Sequence, residues 1–305
     1  MAQIYDSIII GAGPCGMRIA LELKKKNASF LLLDPGTPGG KVNVAPRVDN
    51  YPGFTKIPGP DLAFALFERL NQAEIEITPE EVLELKKEND HFAIKTDRDT
   101  YYSKTAVIAS GTKDRKLGLE NEDKLFGHGL TYCALCDGHF FKDQDVIVIG
   151  GGNAALKEAI HMLHVSKKVY LIHRRNEFRG SNKLVDELKE APNAEILTPY
   201  IPYRLIGEEK VEGIEIENRE TGERRIIKLQ GIIPAVGQIP NTQFVQIEGV
   251  LNEYKTVPVN RSMETSCPGL FAGGDVLPRD IRQIYLAEHD GIVISKSILT
   301  LLGKE

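Results

Sequence analysis

No apolar run in this 305-residue chain reaches the roughly 18 residues that a membrane-spanning helix needs, so a helical membrane protein is not expected. Nor is positive charge in excess. Lys and Arg number 38 against 43 Asp and Glu, a net charge of -5, and the dense basic cluster His173-Arg174-Arg175 is short. Nucleic-acid binding needs a basic surface or patch, so no nucleic-acid partner is expected. The opening "MAQIYDSIIIGAG" lacks the basic region and cleavage site of a signal peptide, which points to a cytoplasmic protein. Cysteine is scarce, with four in all. In that compartment a structural disulfide is disfavoured, and a close cysteine pair is more often catalytic or metal-binding. What remains is an ordinary globular composition, 42% apolar and 27% charged. The length suits about two domains.

The chain contains one supersecondary pattern twice. Ile4 to Ile10 is a short apolar run ending at glycine, which reads as a buried parallel strand. "GAGPCGMRIALELKKKN" follows as a turn and a helix whose end carries the solvated Lys24-Lys25-Lys26, and "SFLLLD" is a second buried strand. "DVIVIG", "GGNAALKEAIHMLHVS" and "KVYLIHRR" repeat that order later. Between the copies, Asp61 to Leu70 reads as helix. Ala73 to Ile77, Phe92 to Thr96 and Thr105 to Lys113 read as strands, and the polar "LGLENEDK" reads as a linker. "GIIPAVGQIPNT" is an apolar strand followed by a Gly/Pro-containing crossing, and "RQIYLAEHDGIVISKSILTLL" is helix-like. The expected fold is α/β with two Rossmann-like nucleotide-binding domains. One is split (1–113 and 243–305) and the other is inserted into it (114–242).

Each copy opens on a glycine fingerprint. In Gly11-x-Gly13-x-x-Gly16 the glycines allow a tight turn, close approach of a pyrophosphate and close helix packing. Asp34 ends the next strand 23 residues after Gly11, where a carboxylate binds a ribose 2′-hydroxyl, as in FAD or NAD. In the second copy, Gly150-x-Gly152-x-x-Ala155, the residue 23 positions on is His173, followed by Arg174, Arg175 and Arg179. A carboxylate would repel a 2′-phosphate, whereas guanidinium groups pair with it bidentately, so this site suits NADP.

"TYCALCDGHFF" holds Cys133 and Cys136 two residues apart. A structural zinc site usually needs four ligands, and Cys15, Cys267, His128 and His139 supply no common zinc spacing. A redox dithiol fits better, with a thiolate as the attacking species. Asp137 directly follows and is placed to pass a proton to or from the leaving thiol, or else is a turn aspartate. Two nucleotide sites and a dithiol suggest a route from NADPH to FAD to disulfide. Cys15 reads as a small residue packed under the nucleotide, Cys267 as inert, and His161 and His164 as surface or core histidines.

The whole of this pattern resembles the low-molecular-weight thioredoxin reductase family of flavoprotein disulfide reductases, over nearly the full chain. "GAGPCG" (with Gly11, Gly13, Pro14, Cys15 and Gly16) and "GGKVNVAPRVDNYPG" (with Gly40, Lys41, Val42 and Asn50) resemble its FAD motifs. So do "GLFAGGDV", with Gly274 and Asp275, and "RQI", which is Arg282, Gln283 and Ile284. "CALCDG" resembles its active-site motif, and "GGGNAALKEA" and "HRRNEFR" its NADPH motifs. The resemblance implies that Asp34, Val82, Ala109 and Gly111 join the FAD contacts, that Asp275 binds the ribitol, and that the Gln283–Ile284 backbone faces the flavin ring. It implies NADPH contacts at Gly150, Gly152, Asn153, Ala154, Ala155, His173, Arg174, Arg175 and Arg179. Cys136 would receive electrons from the flavin, Cys133 would attack the disulfide of thioredoxin or a thioredoxin-like protein, and Asp137 would be the acid/base. A homodimer is implied, as is domain rotation about hinges near Lys113 to Glu120 and Ala235 to Thr242. Five positions depart from the usual pattern: Lys41, Ala154, Lys157, Gly180 and Ser181. A donor other than NADPH (ferredoxin or a deazaflavin) stays open, as does a flavin-binding redox sensor without turnover.

Overall fold

Residues 3–45, 47–54 and 56–304 are described by the computed structural model. Pro46, inside the Gly39–Gly53 motif, lies outside the described residues. The chain divides into two packed units, Met1–Lys113 with Ile239–Glu305, and Asp114–Gln238.

The first unit begins with β1 (Ile4–Ile10), whose last five residues are fully buried. It passes into α1 (Pro14–Lys25), where Pro14 presets the first helical turn and Lys24 and Lys25 sit in the last, where cations suit the helix dipole. β2 (Phe30–Leu33), α2 (Gly59–Gln72), β3 (Val82–Glu88), β4 (His91–Thr96), β5 (Thr100–Ile108) and β6 (Thr112–Asp114) follow. β1 lies parallel to β2 and β5, while β3, β4 and β5 run antiparallel.

The strand expected at Ala73 to Ile77 does not form. Its alternating apolar residues instead close α2. The Ala73 and Ile75 N–H groups both donate to the Leu70 carbonyl, and Glu74 takes a left-handed φ of 52°. This is a helix C-terminus built without glycine. Ile75 is buried against α2 as part of the core.

The second unit opens with α3 (Glu122–Leu125) and α4 (Ala134–Asp137), then β7 (Asp145–Ile149), α5 (Asn153–Leu163), β8 (Lys168–Ile172), α6 (Asn182–Glu190) and β9 (Ala194–Leu197). An antiparallel sheet of β10 (Tyr200–Ile206), β11 (Gly213–Asn218) and β12 (Arg224–Lys228) precedes β13 (Gly231–Pro234) and β14 (Gln238–Pro240). The parallel sheet has the order β13-β7-β8-β9. The expected linker "LGLENEDK" is folded. The Glu122 carboxylate, 3% exposed, accepts from the N–H groups of Leu117 and Gly118 and from the Tyr132 hydroxyl. The crossing strands β6 and β14 pair with each other.

Back in the first unit, β15 (Leu270–Ala272) extends the sheet by pairing parallel with the end of β5, and α7 (Ile284–Leu302) lies along α1. One face of the sheet buries Ile9 against α1, α2 and α7, through Ile19, Leu62 and Ile294. The other buries Ile8, Ile10 and Phe92 against the Val250 and Val257 segment. Both units are thus α/β with parallel Rossmann-like sheets. No helix among the described residues is long and apolar enough to cross a membrane.

Candidate active site

In open parallel sheets, ligands lie beyond the carboxyl ends of the strands. In the first unit Gly11, Asp34, Ala109 and Gly274 lie there, after β1, β2, β5 and β15. Gly11 leaves β1 with φ +109°, and a Cβ on Gly16 would stand 1.9 Å from the Gly11 carbonyl oxygen, so α1 packs on β1 only with glycine at 16. Gly13 is the N-cap of α1, no side chain caps that helix, and no heavy atom lies within 4 Å of where its Cβ would be. This is open space in front of uncapped N–H groups, the form of a phosphate cradle. Asp34 follows β2, and its two carboxylate oxygens accept from the N–H groups of Ala12 (2.6 Å) and Gly36 (2.8 Å). A carboxylate has lone pairs left for a ribose hydroxyl.

Gly40, Lys41 and Val42 lie on a 3-10 turn (Gly40–Val44), and Gly40 approaches Gly13. Ala109 follows β5, and its N–H donates to the Ile10 carbonyl; Gly111 has φ +67° with open space around it. Gly274 and Asp275 lie on the 3-10 turn Gly274–Val276 after β15, and the Arg282 Nε donates to the Asp275 carbonyl. Gln283 is the N-cap of α7, Ile284 its first residue, and no side chain caps it. The exposed Asn50 Nδ2 donates to the Gln283 Oε1 (2.8 Å), which joins two expected residues 233 positions apart. Val82 opens β3 opposite Thr96 and packs at the edge of the core on the sheet's other face. Thr78, four residues earlier, bridges to Leu33 beside Asp34. Cys15 is 3% exposed, and burial followed by the nearby Asp290 pushes its thiol well up, so it packs as a neutral side chain.

The second fingerprint repeats this geometry. Gly150 follows β7, and Gly152 caps α5 without a side-chain bond and with open space before it. Asn153 and Ala154 are exposed and Ala155 is buried. Arg174, Arg175 and Arg179 are exposed, and the Arg179 N–H donates to the Gly151 carbonyl (2.8 Å), which folds the basic loop back onto the fingerprint. His173 differs from its basic neighbours. It is 5% exposed, stacks on Phe178 and packs against Gly151. Burial, then Arg179, lowers its pKa, so it is a neutral ring that shapes the turn and adds no cation. Gly180 packs close on the start of α5, because a Cβ there would stand 2.4 Å from the Leu156 side chain and 3.1 Å from the Asn153 backbone nitrogen. Arg219, which the motif spacing does not reveal, reaches the same loop by donating from Nη1 to the Arg174 carbonyl.

Cys133 and Cys136 are joined by a disulfide across the start of α4, while Cys15 and Cys267 are free. Asp137 ends α4 and is 4% exposed. Its Oδ2 accepts from the Thr131 hydroxyl, which in turn accepts from the Cys133 N–H (3.2 Å). Thr131, buried at 3%, is held by its own N–H donating to the Ile232 carbonyl on β13. One hydroxyl therefore ties the acid to the backbone of the first cysteine. A Cβ on Gly138 would meet Met162, so α4 sits close on α5. Next to the pair, the Tyr132 hydroxyl donates to Glu122 (2.5 Å); burial and that carboxylate raise its pKa.

A disulfide beside a buried carboxylate, in a chain with two uncapped glycine fingerprints, defines a class. Residues 5–291 match the model of the pyridine nucleotide-disulphide oxidoreductase family, and the chain belongs to that family. It is a flavoprotein disulfide reductase. It is similar to the thioredoxin reductase of Mycoplasma pneumoniae, at 36% identity over 98% of this chain and 96% of that one. It is also similar to the crystal structure of thioredoxin reductase from Streptococcus pyogenes MGAS5005, at 34% identity, a TM-score of 0.93 and full coverage of both chains. A ferredoxin-flavin thioredoxin reductase from Clostridium acetobutylicum is similar at 28% identity, with a TM-score of 0.55 over both whole chains.

Proposed function

We propose that the protein carries electrons from NADPH through FAD and the Cys133/Cys136 pair to the disulfide of thioredoxin or a thioredoxin-like protein, and works as a cytoplasmic homodimer. The observation that carries this reading is the Cys133–Cys136 disulfide with Asp137 buried beside it. When bound, NADPH and FAD supply the hydride and the electron pair that open this disulfide. The Gly11 to Gly16 turn, Asp34, Asp275 and the start of α7 hold the flavin. The Gly150 to Ala155 turn holds the nicotinamide nucleotide, with Arg174, Arg175 and Arg179 pairing its 2′-phosphate.

The Cys133 thiolate attacks the partner's disulfide, breaking it and forming a mixed disulfide. The Cys136 sulfur then attacks Cys133, which reforms the internal disulfide and releases the partner as a dithiol. Asp137 gives a proton to the departing thiolate and takes one from the attacking thiol.

Anaerobic addition of NADPH to the purified protein tests the donor. Fast bleaching of the visible flavin band, slow bleaching with NADH, and loss of the difference in Arg174→Ala/Arg175→Ala are expected. Cys133→Ser abolishes thioredoxin reduction and leaves the flavin bound; normal turnover in that variant would sink the assignment of the nucleophile. A second reading has one specific support. Ala154 and Lys157 depart from the usual NADPH pattern, and the Clostridium acetobutylicum relative is a ferredoxin-flavin thioredoxin reductase. Bleaching by reduced ferredoxin and not by NADPH selects it.

A further inference from the structure

We propose that Asp290 and Arg279 are positioning residues for the flavin, holding the Gly274 backbone so that Asp275 and the start of α7 keep one fixed separation. The proposal rests on the flavin reading above. Asp290 lies on α7 with its side chain 1% exposed, on a helix face otherwise buried through Ala287, Ile294 and Ile298. A carboxylate so placed is costly unless charge-paired and hydrogen-bonded.

Its partners converge on one residue. The Gly274 N–H donates to Asp290 Oδ2 (2.8 Å). Arg279 Nη2 donates to the same oxygen, and Nη1 to Oδ1 at 3.3 Å. Arg279 Nη2 also donates to the Gly274 carbonyl (3.0 Å). Both polar groups of the Gly274 peptide backbone are therefore held, one by the carboxylate and one by the guanidinium it anchors. Gly274 has φ +78°, a conformation that needs glycine and defines where Asp275 points.

Two further pieces of the flavin region meet the same spot. A Cβ on Gly273 would stand 2.8 Å from Cys15 Sγ and 3.0 Å from the Asp290 Cβ, and one on Gly291 would stand 2.8 Å from the Cys15 carbonyl oxygen. The start of α1, the Gly274–Val276 turn and α7 are thus packed around one ion pair. Such pairs add little to stability, since apolar replacement of both partners is often neutral, but they define geometry. The expected effect is therefore on flavin binding more than on folding.

The test uses full-length protein stripped of flavin and titrated with FAD. The double variant Arg279→Met/Asp290→Asn removes both charges and leaves no lone buried carboxylate. Its apoprotein is expected to melt within a few degrees of the parent, while its FAD dissociation constant rises about tenfold or more and the bound flavin bands shift. Arg279→Lys keeps the charge but reaches fewer of the acceptors, and recovers part of the affinity. If the double variant does not fold, Arg279→Lys decides alone. Unchanged FAD affinity in a folded variant overturns the proposal, as does a fall in melting temperature with affinity intact. A parent apoprotein that takes up no FAD overturns the flavin reading itself.

Discussion

Thr131 shows how the chemistry of the dithiol depends on a side chain that carries none of it. Its hydroxyl donates to Asp137 and accepts from the Cys133 N–H, so the carboxylate cannot turn away without losing a buried bond. Thr131→Val keeps the shape and removes the hydroxyl. Thioredoxin reduction per bound flavin is expected to slow on the order of tenfold, Thr131→Ser to stay near the parent, and Asp137→Asn to lose about a hundredfold. Equal rates for the valine and serine variants would show that the hydroxyl does not position the acid. Cys133, Cys136 and Asp137 are legible in the sequence because their spacing is local. Thr131 is not, because its role comes from being hung on β13 by Ile232. Glu122 reads as linker for the same reason: the Tyr132 hydroxyl it accepts from is ten residues away, and burial makes it matter. His173 sits where the spacing points, yet its buried ring leaves the cationic role to the three arginines.

At the scale of elements, the two fingerprints separate packing from binding. Gly16→Ala would place a methyl 1.9 Å from the Gly11 carbonyl oxygen, so α1 must shift off β1. A loss of about 3 kcal/mol or more is expected, read as a lower melting temperature of the apoprotein. Gly13→Ala meets no atom within 4 Å, so the apoprotein should melt as the parent does while flavin content falls, because the methyl fills the cradle. Flavin content unchanged in Gly13→Ala would mean that no phosphate lies there. These strand-turn-helix units are legible because apolar runs, glycine spacing and the helical period agree. β10, β11 and β12 are not, since β10 and β12 show no apolar/polar alternation and the three strands are defined by pairing with one another. The alternation at Ala73 to Ile77 misleads for the opposite reason, because the end of α2 claims those backbone groups first.

For the whole molecule, one buried and one partly buried carboxyl set opposite pH limits, one in each unit. Asp6 is 5% exposed at the start of β1. Burial alone would raise its pKa, but Lys304, Lys104 and the Ser29 N–H outweigh it and hold the carboxyl well below the usual range. Its stabilisation is complete above about pH 4, the unfolded value, and drains away as pH falls toward the folded value. Glu158 on α5 has an Oε2 without a hydrogen-bond partner among the described residues, and burial, then Asp114, pushes its pKa up to about 8. There the folded state binds more protons than the unfolded one between about pH 4 and pH 8, so stability falls as pH rises across that window. A tenfold difference in proton affinity between the folded and unfolded chain is worth about 1.4 kcal/mol, so the loss amounts to a few kcal/mol. The Asp6 unit should therefore melt first in acid and the Glu158 unit first near pH 8. Calorimetry at pH 3, 6 and 8 checks this through two variants. Glu158→Gln cannot ionise, and should raise the lower transition at pH 8 by roughly 3 kcal/mol while changing little at pH 4. Asp6→Asn should lower one transition at pH 6 and leave its acid side flatter. If both variants moved the same transition at the same pH, the two units would unfold as one, and the opposing limits would not be separable by unit.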